Sequence, residues 1–120
     1  MSDEFRDLLA WKRGMMLVKE VYALTDAFPD SEQEGLVAEL RRSSVAVPSR
    51  IASGEGRMTD DEFVDCLSEA RGAALEVATQ LTLAEELGFA TEESTKGIHD
   101  LIDDVVGLID ALSDSLGSRN

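Results

Sequence analysis

Histidine and cysteine are almost missing from this chain, which has one of each, His99 and Cys66. A lone thiol cannot close an intramolecular disulfide, so nothing points to an oxidising compartment. A structural zinc site takes four Cys or His ligands, more than these two can supply. Di-iron bundles need Glu-x-x-His pairs on two helices, and the residue three before His99 is Lys96. His99 therefore reads as a surface or boundary residue of a helix. Cys66 stands one position before Leu67 and reads as a small packing residue. Aromatic residues make up only 5% of the chain. The core must then be built from Leu, Val, Ile, Ala and Met, which suits helices. No apolar run approaches the roughly 18 residues that span a membrane. The opening MSDEFRDLLAWKRG lacks the basic and apolar regions of a secretory signal. These absences lead to the expectation of a cytoplasmic protein with no membrane partner.

Phosphate-binding chemistry is missing too. Gly54-Glu55-Gly56 has neither the trailing glycine nor the Lys-Ser/Thr of the phosphate loops. The adjacent acids Asp103-Asp104 and Glu85-Glu86 point about 100° apart on a helix and read as solvated faces. No cofactor, metal or catalytic group is expected, and the chain is not read as an enzyme.

What the chain does have is acid. Its formal net charge is −14. Residues 1–57 hold 10 acids and 8 bases, and residues 58–120 hold 15 and 3. The second half would repel nucleic acid by bulk electrostatics. A surface rich in Asp and Glu with only three lysines fits a high-salt cytoplasm.

Four helical segments follow from caps, stops and periodicity, at about 3–27, 31–54, 60–87 and 92–116. In the first, Ser2 is the expected cap and Asp3 and Glu4 suit the helix dipole. Its apolar stripe is Phe5, Leu8, Trp11, Met15, Val18 and Tyr22, and Phe28-Pro29 ends it. Ser31 to Glu34 has the spacing of a capping box for the second helix, whose stripe is Leu36, Leu40, Val47 and Ile51. Pro48 removes one hydrogen bond there and crowds the Ser44 carbonyl, so a kink is expected. Gly54 and Gly56 are its expected stop. Thr59 to Glu62 forms a second capping box. The third stripe is the most regular: Phe63, Leu67, Ala70, Ala74, Val77, Leu81 and Ala84, with alternating steps of four and three. Ala70, Gly72, Ala73, Ala74 and Ala78 would let a neighbouring helix come close, and Gly88 stops the helix. The fourth helix follows Thr91, with Ile98, Leu101, Ile102, Val105, Leu108, Ile109, Leu112 and Leu116 inward; its last residues are expected to fray. Helices of about 24 to 28 residues joined by three to five residues predict a single all-α domain over 1–120, an antiparallel up-down-up-down four-helix bundle.

One candidate contact remains. Arg42, Arg50 and Arg57 lie on or just after the second helix, around the kink. The functional reading is an anion or RNA-backbone contact; the competing one is ion pairing, for example Glu39 with Arg42 at i,i+3.

The stretch Leu40 to Arg57, LRRSSVAVPSRIASGEGR, resembles the signature of the four-helix-bundle proteins related to the 23S rRNA intervening-sequence protein. The shared signature residues are Arg42, Pro48, Ser49, Ile51, Ala52, Gly54 and Gly56. Arg50, Ser53 and Ala46 stand where the signature has Asn, Glu and Ser. FRDLLAWK at 5–12, Phe28-Pro29, Gln80-Leu81 and Leu87-Gly88-Phe89 extend the likeness over nearly the whole chain. The resemblance implies a small bundle without known enzymatic activity that assembles with copies of itself into a homopentameric ring. Some relatives, including accessory proteins of diversity-generating retroelements, are basic and bind RNA and a reverse transcriptase. This acidic chain departs from them, which weakens nucleic acid as a partner. The expected function is a self-assembling scaffold or interaction module, with an unidentified protein partner allowed; the alternative is an RNA-binding accessory protein.

Overall fold

The computed structural model of the chain describes residues 4–117. Among them are four α-helices and no strand: α1 (Leu9–Thr25), α2 (Leu36–Glu55), α3 (Asp60–Glu86) and α4 (Glu92–Gly117). Short 3-10 turns, Glu4–Asp7 and Asp30–Glu32, precede α1 and α2. α1 packs on α2 and α4, and α3 packs on the same two helices. α1 and α3 therefore stand on one diagonal of the bundle and α2 and α4 on the other. The molecule measures 47 × 24 × 19 Å.

Local chemistry sets the bounds of α3 and α4. Thr59 is extended, and its Oγ1 accepts the Glu62 N–H at 3.1 Å. The Glu62 carboxylate returns to the Thr59 hydroxyl at 3.2 Å, where the capping box would have sent it to the backbone. Gly88 ends α3 with φ +83°. The Gly88 N–H donates to the Glu85 carbonyl and the Phe89 N–H to the Ala84 carbonyl, closing the orphaned last turn. Phe89 then packs on Phe28, with ring centroids 6.0 Å apart. Thr91 caps α4 reciprocally: its Oγ1 accepts the Ser94 N–H, and Ser94 Oγ accepts the Thr91 N–H, both at 3.0 Å.

α1 and α2 depart from the sequence expectation. Ser2, Asp3 and the residues after 117, where fraying is the expectation, lie outside the described residues. Residues 4–7 form a 3-10 turn, and the α-helix begins only at Leu9 and ends at Thr25. Its buried face is Ala10, Gly14, Leu17, Val21 and Thr25. The expected stripe is the flank of that face, and Tyr22 is 42% exposed. The face that meets the other helices sets Leu17 and Val21 among Ala10, Gly14 and Thr25, small or polar residues that a stripe of larger apolar ones leaves out. At Gly14 an added Cβ would already touch Val47 and Pro48 at 3.4 Å.

No capping box forms at Ser31. Pro29 holds the extended position before the 3-10 turn, and α2 starts at Leu36 after Gly35. There Glu32, not Glu34, accepts the orphaned Leu36 N–H through Oε1 at 3.3 Å. The segment between α1 and α2 is thus longer than the expected three to five residues. α2 runs through Pro48 to Glu55.

Gly54 is not the stop either. It lies inside α2, where an added Cβ would stand 2.7 Å from the Cys66 Cβ and 2.8 Å from Phe63 Cδ1. Glycine is required at this crossing for closeness. The buried face of α3, Leu67, Ala70, Ala74, Val77, Leu81 and Ala84, follows the predicted stripe, with Cys66 and Ala73 added beside it. Phe63 packs half-buried at its edge.

Gly54→Ala is expected to lower unfolding stability by about 1–3 kcal/mol, the usual effect of overpacking. Gly107→Ala, where an added Cβ meets nothing within 4 Å, should gain up to about 1 kcal/mol from helix propensity. Denaturant midpoints of the two variants check both signs.

Candidate functional site

Of the signature residues, Pro48, Ile51, Gly54 and Gly56 take part in packing or capping. Pro48 is buried against α1 at Gly14, Ile51 is in the core, and Gly54 makes the crossing with α3. Gly56 caps α2, its N–H donating to the Ala52 carbonyl at 3.3 Å. Ser49 is exposed. The stretch from Pro48 to Gly56 therefore builds the junction of α1, α2 and α3.

The candidate arginines do not converge. Arg42 ion-pairs with Glu39 one turn back on α2. Arg50 leans across to Glu69 on α3 at 3.7 Å. Arg57 folds back from beyond the helix end and donates to Ser53 Oγ at 3.3 Å. Arg50 and Ser53, two of the departures from the signature, are thus engaged with Glu69 and Arg57. All three arginines are exposed.

Arg41 is the arginine that the sequence reading passed over. Its Nε donates to Thr25 Oγ1 at 2.9 Å, and its second nitrogen reaches Asp26 Oδ1 at 3.1 Å. The guanidinium lies 4.3 Å from the centroid of the Tyr22 ring. Thr25 is fully buried and donates its own hydroxyl to the Val21 carbonyl at 2.8 Å. Arg41 thereby ties α2 to the last turn of α1. Buried Thr25 is also the polar end of the true α1 face, a signal legible only once that face is known.

A second polar link joins α2 to α3, where Gln80 Nε2 donates to Ser43 Oγ at 3.2 Å. A third joins α3 to α4. Glu85 Oε2 lies 3.0 Å from His99 Nε2 and 3.0 Å from the hydroxyl of buried Thr95. Among the described residues no group of three or more His, Cys, Asp or Glu is placed to hold a metal ion. No described helix is long and apolar enough to cross a membrane. The concavities are open grooves along helix pairs, such as that between Leu9 and Arg13 of α1 and Asp103, Asp104 and Leu108 of α4.

The bond with His99 holds the Glu85 carboxyl below its ordinary value; desolvation opposes the shift and Thr95 reinforces it. A depressed carboxylate adds stability above its unfolded pKa, and the gain is lost as pH falls through the folded value. Glu85→Gln should therefore unfold more easily than the parent chain near neutral pH. The gap should narrow as pH falls below about 4, the unfolded carboxylate range, and close below the folded value. Denaturant titrations at several pH values check this, and a gap independent of pH would refute it.

No curated protein matches the sequence. A solved structure from Bacteroides thetaiotaomicron VPI-5482, a protein of unknown function from the S23 ribosomal protein family, superposes with a TM-score of 0.79. It is 18% identical, and the match covers 88% of this chain and 98% of that one, so it shows a shared fold. The model of the 23S rRNA-intervening sequence protein family matches residues 6–111. With nearly the whole bundle inside that match, this chain belongs to the 23S rRNA-intervening sequence protein family.

Proposed function

We propose that this chain is a non-enzymatic bundle protein that assembles with copies of itself and acts as a scaffold or interaction module. The observation that carries the reading is apolar surface left over after the core is full. Leu75, Leu83, Tyr22 and Val45 are each 40–45% exposed, although the bundle buries Leu17, Leu40, Ile51, Leu67 and Leu81 completely. Apolar area left in water forgoes about 25 cal/mol per Å², which association recovers. The homopentameric ring is the form that the resemblance implies.

The same reading takes the bundle as antiparallel, up-down-up-down. The connections 56–59 and 87–91 are too short to carry the chain back along helices roughly 30–40 Å long. It takes α2 as kinked at Pro48, where the ring cannot donate to the Ser44 carbonyl. It places the protein in the cytoplasm, and its acidity fits a high-salt one.

Light scattering should give a mass several times that of the 13.0 kDa chain, unchanged on dilution. A concentration-independent single chain would overturn the proposal. Pro48→Ala should keep that mass, and its loss would make the bend part of the contact.

A second reading, an RNA-binding accessory protein, draws on the exposure of Arg42, Arg50 and Arg57. It requires binding to RNA at low ionic strength that falls steeply with added salt. No binding at any salt concentration eliminates it.

A further inference from the structure

The outer face of α3 carries a second stripe beside the one that enters the core. The core phase is Ala70, Ala74, Val77, Leu81 and Ala84. Gly72, Leu75, Thr79 and Leu83 recur at the same steps of three and four on a different face, and all four are exposed. Leu75 and Leu83 leave 45% and 44% of their surface in water. Residues 77–84 contain no charged side chain. Thr79 and Thr82 donate their hydroxyls to the Leu75 and Ala78 carbonyls, each at 3.0 Å, which leaves their methyl groups to define the surface. At Gly72 an added Cβ would meet nothing within 4 Å, so the stripe starts at an open notch. Two shallow grooves meet at Thr79, one holding Leu75 and Glu76 and the other Leu83, Glu86 and His99. From Gly72 to Leu83 the stripe runs about 17 Å, three helical turns.

The charges along it are unevenly matched. Arg50 of α2 pairs with Glu69, Arg71 with Asp110 of α4, and His99 of α4 with Glu85. Those pairs use the cations that meet α3. Glu76 and Glu86, one in each groove, have no cation within ion-pair distance among the described residues. The wider field has the same sign, because α3 and α4 together carry fifteen Asp and Glu against two Lys and Arg. The stripe is therefore an apolar ridge with a spare carboxylate in the groove at either end.

Peptides dock on proteins as an added strand, as a polyproline helix among aromatic rings, or as an amphipathic helix in a groove. No strand edge exists among the described residues, and no aromatic ring lines either groove. A helix fits, because the spacing of the stripe is that of a helix seam. The spare carboxylates attract a cationic edge and repel RNA or an anionic membrane surface. We infer that this face of α3 docks an amphipathic helix of another protein. Its apolar residues, one per turn, lie on Leu75, Thr79 and Leu83, and its Lys or Arg flanks meet Glu76 and Glu86. The inference rests on the interaction-module reading and names its surface and its partner. Tyr22 and Val45, on α1 and α2, stay available for contacts between copies.

The test uses the full chain and labelled peptides of about 18 residues, long enough to hold a helix. One has leucines along one helical face and lysines elsewhere. The second replaces each lysine by glutamate, and the third scrambles the first so that no face forms. Fluorescence anisotropy in about 0.1 M salt should show the first binding at least about tenfold more tightly than the others. Leu75→Ala/Leu83→Ala and Glu76→Gln/Glu86→Gln should each weaken that binding about tenfold or more. All four positions are exposed, so helical circular dichroism should be unchanged. The matched variants Leu9→Ala/Met16→Ala and Asp103→Asn/Asp104→Asn, exposed on other helices, should bind as the parent does. Equal binding of the scrambled peptide, equal weakening by the matched variants, or no binding of the lysine peptide overturns the site. Light scattering without peptide separates this inference from self-assembly. A parent that is a single chain and binds the lysine peptide upholds the site while overturning self-assembly. A parent oligomer that Leu75→Ala/Leu83→Ala dissociates overturns the inference, because a second copy is then the occupant.

Discussion

The architecture turns on one crossing. At Gly54 the backbone of α2 comes so near to α3 that a methyl group would stand 2.7 Å from the Cys66 Cβ. Such closeness is available only if α3 is lined with small residues, and Ala70, Ala73 and Ala74 supply them next to Cys66. The position of α2 then decides where α1 sits. Gly14 lies against Pro48 and Val47, and Arg41 reaches over the end of α1 to Thr25 and Asp26. Pro48, Ile51 and Gly54 of the signature are the residues at which three helices meet. A buried proline, a core isoleucine and a glycine without room for a methyl group are packing requirements, and none of them offers a reactive atom.

This explains which parts were legible in the sequence. α3 was readable because its signals are local: a threonine cap, acids in the first turn, a regular stripe and a left-handed glycine at the end. α4 was readable for the same reason. α1 was misread because its larger apolar residues were assumed to face inward, whereas the crossing with α2 admits Gly14 and leaves Trp11, Met15 and Val18 on the flank. The start of α2 was misread because Ser31 has the right spacing to Glu34, yet Pro29 nucleates a 3-10 turn that places Glu32 at the first free N–H. Arg41 belongs to the same run of arginines but not to the candidate contact, because nothing local distinguishes its role from that of Arg42. The difference between them, a buried threonine and an aromatic face on another helix, exists only in three dimensions.

The candidate site shows the same limit. Arg42, Arg50 and Arg57 look like a group in the sequence because they are close along the chain. In the structure each has its own neighbour, and an anion would have to displace Glu39, Glu69 or the contact with Ser53 to gather them. Exposed pairs of this kind are worth little, so displacement is not costly, but nothing positions the three guanidinium groups on one target. On the described surface no group of three or more His, Cys, Asp or Glu is placed to hold a metal ion. What varies over it is charge and apolar exposure, properties of whole flanks.

That distribution bears on how the acidity should be understood. A net charge of −14 spread evenly would keep copies apart. Sorted onto α3 and α4, it repels approaching anions, including nucleic acid, on that flank, whereas acids and bases are nearly balanced over residues 1–57. The second stripe on α3 becomes visible only after the core phase has been assigned, because Leu75 and Leu83 would otherwise be counted with Ala74 and Leu81 as one broad apolar helix. Once separated, the stripe is apolar surface bordered by Glu76 and Glu86.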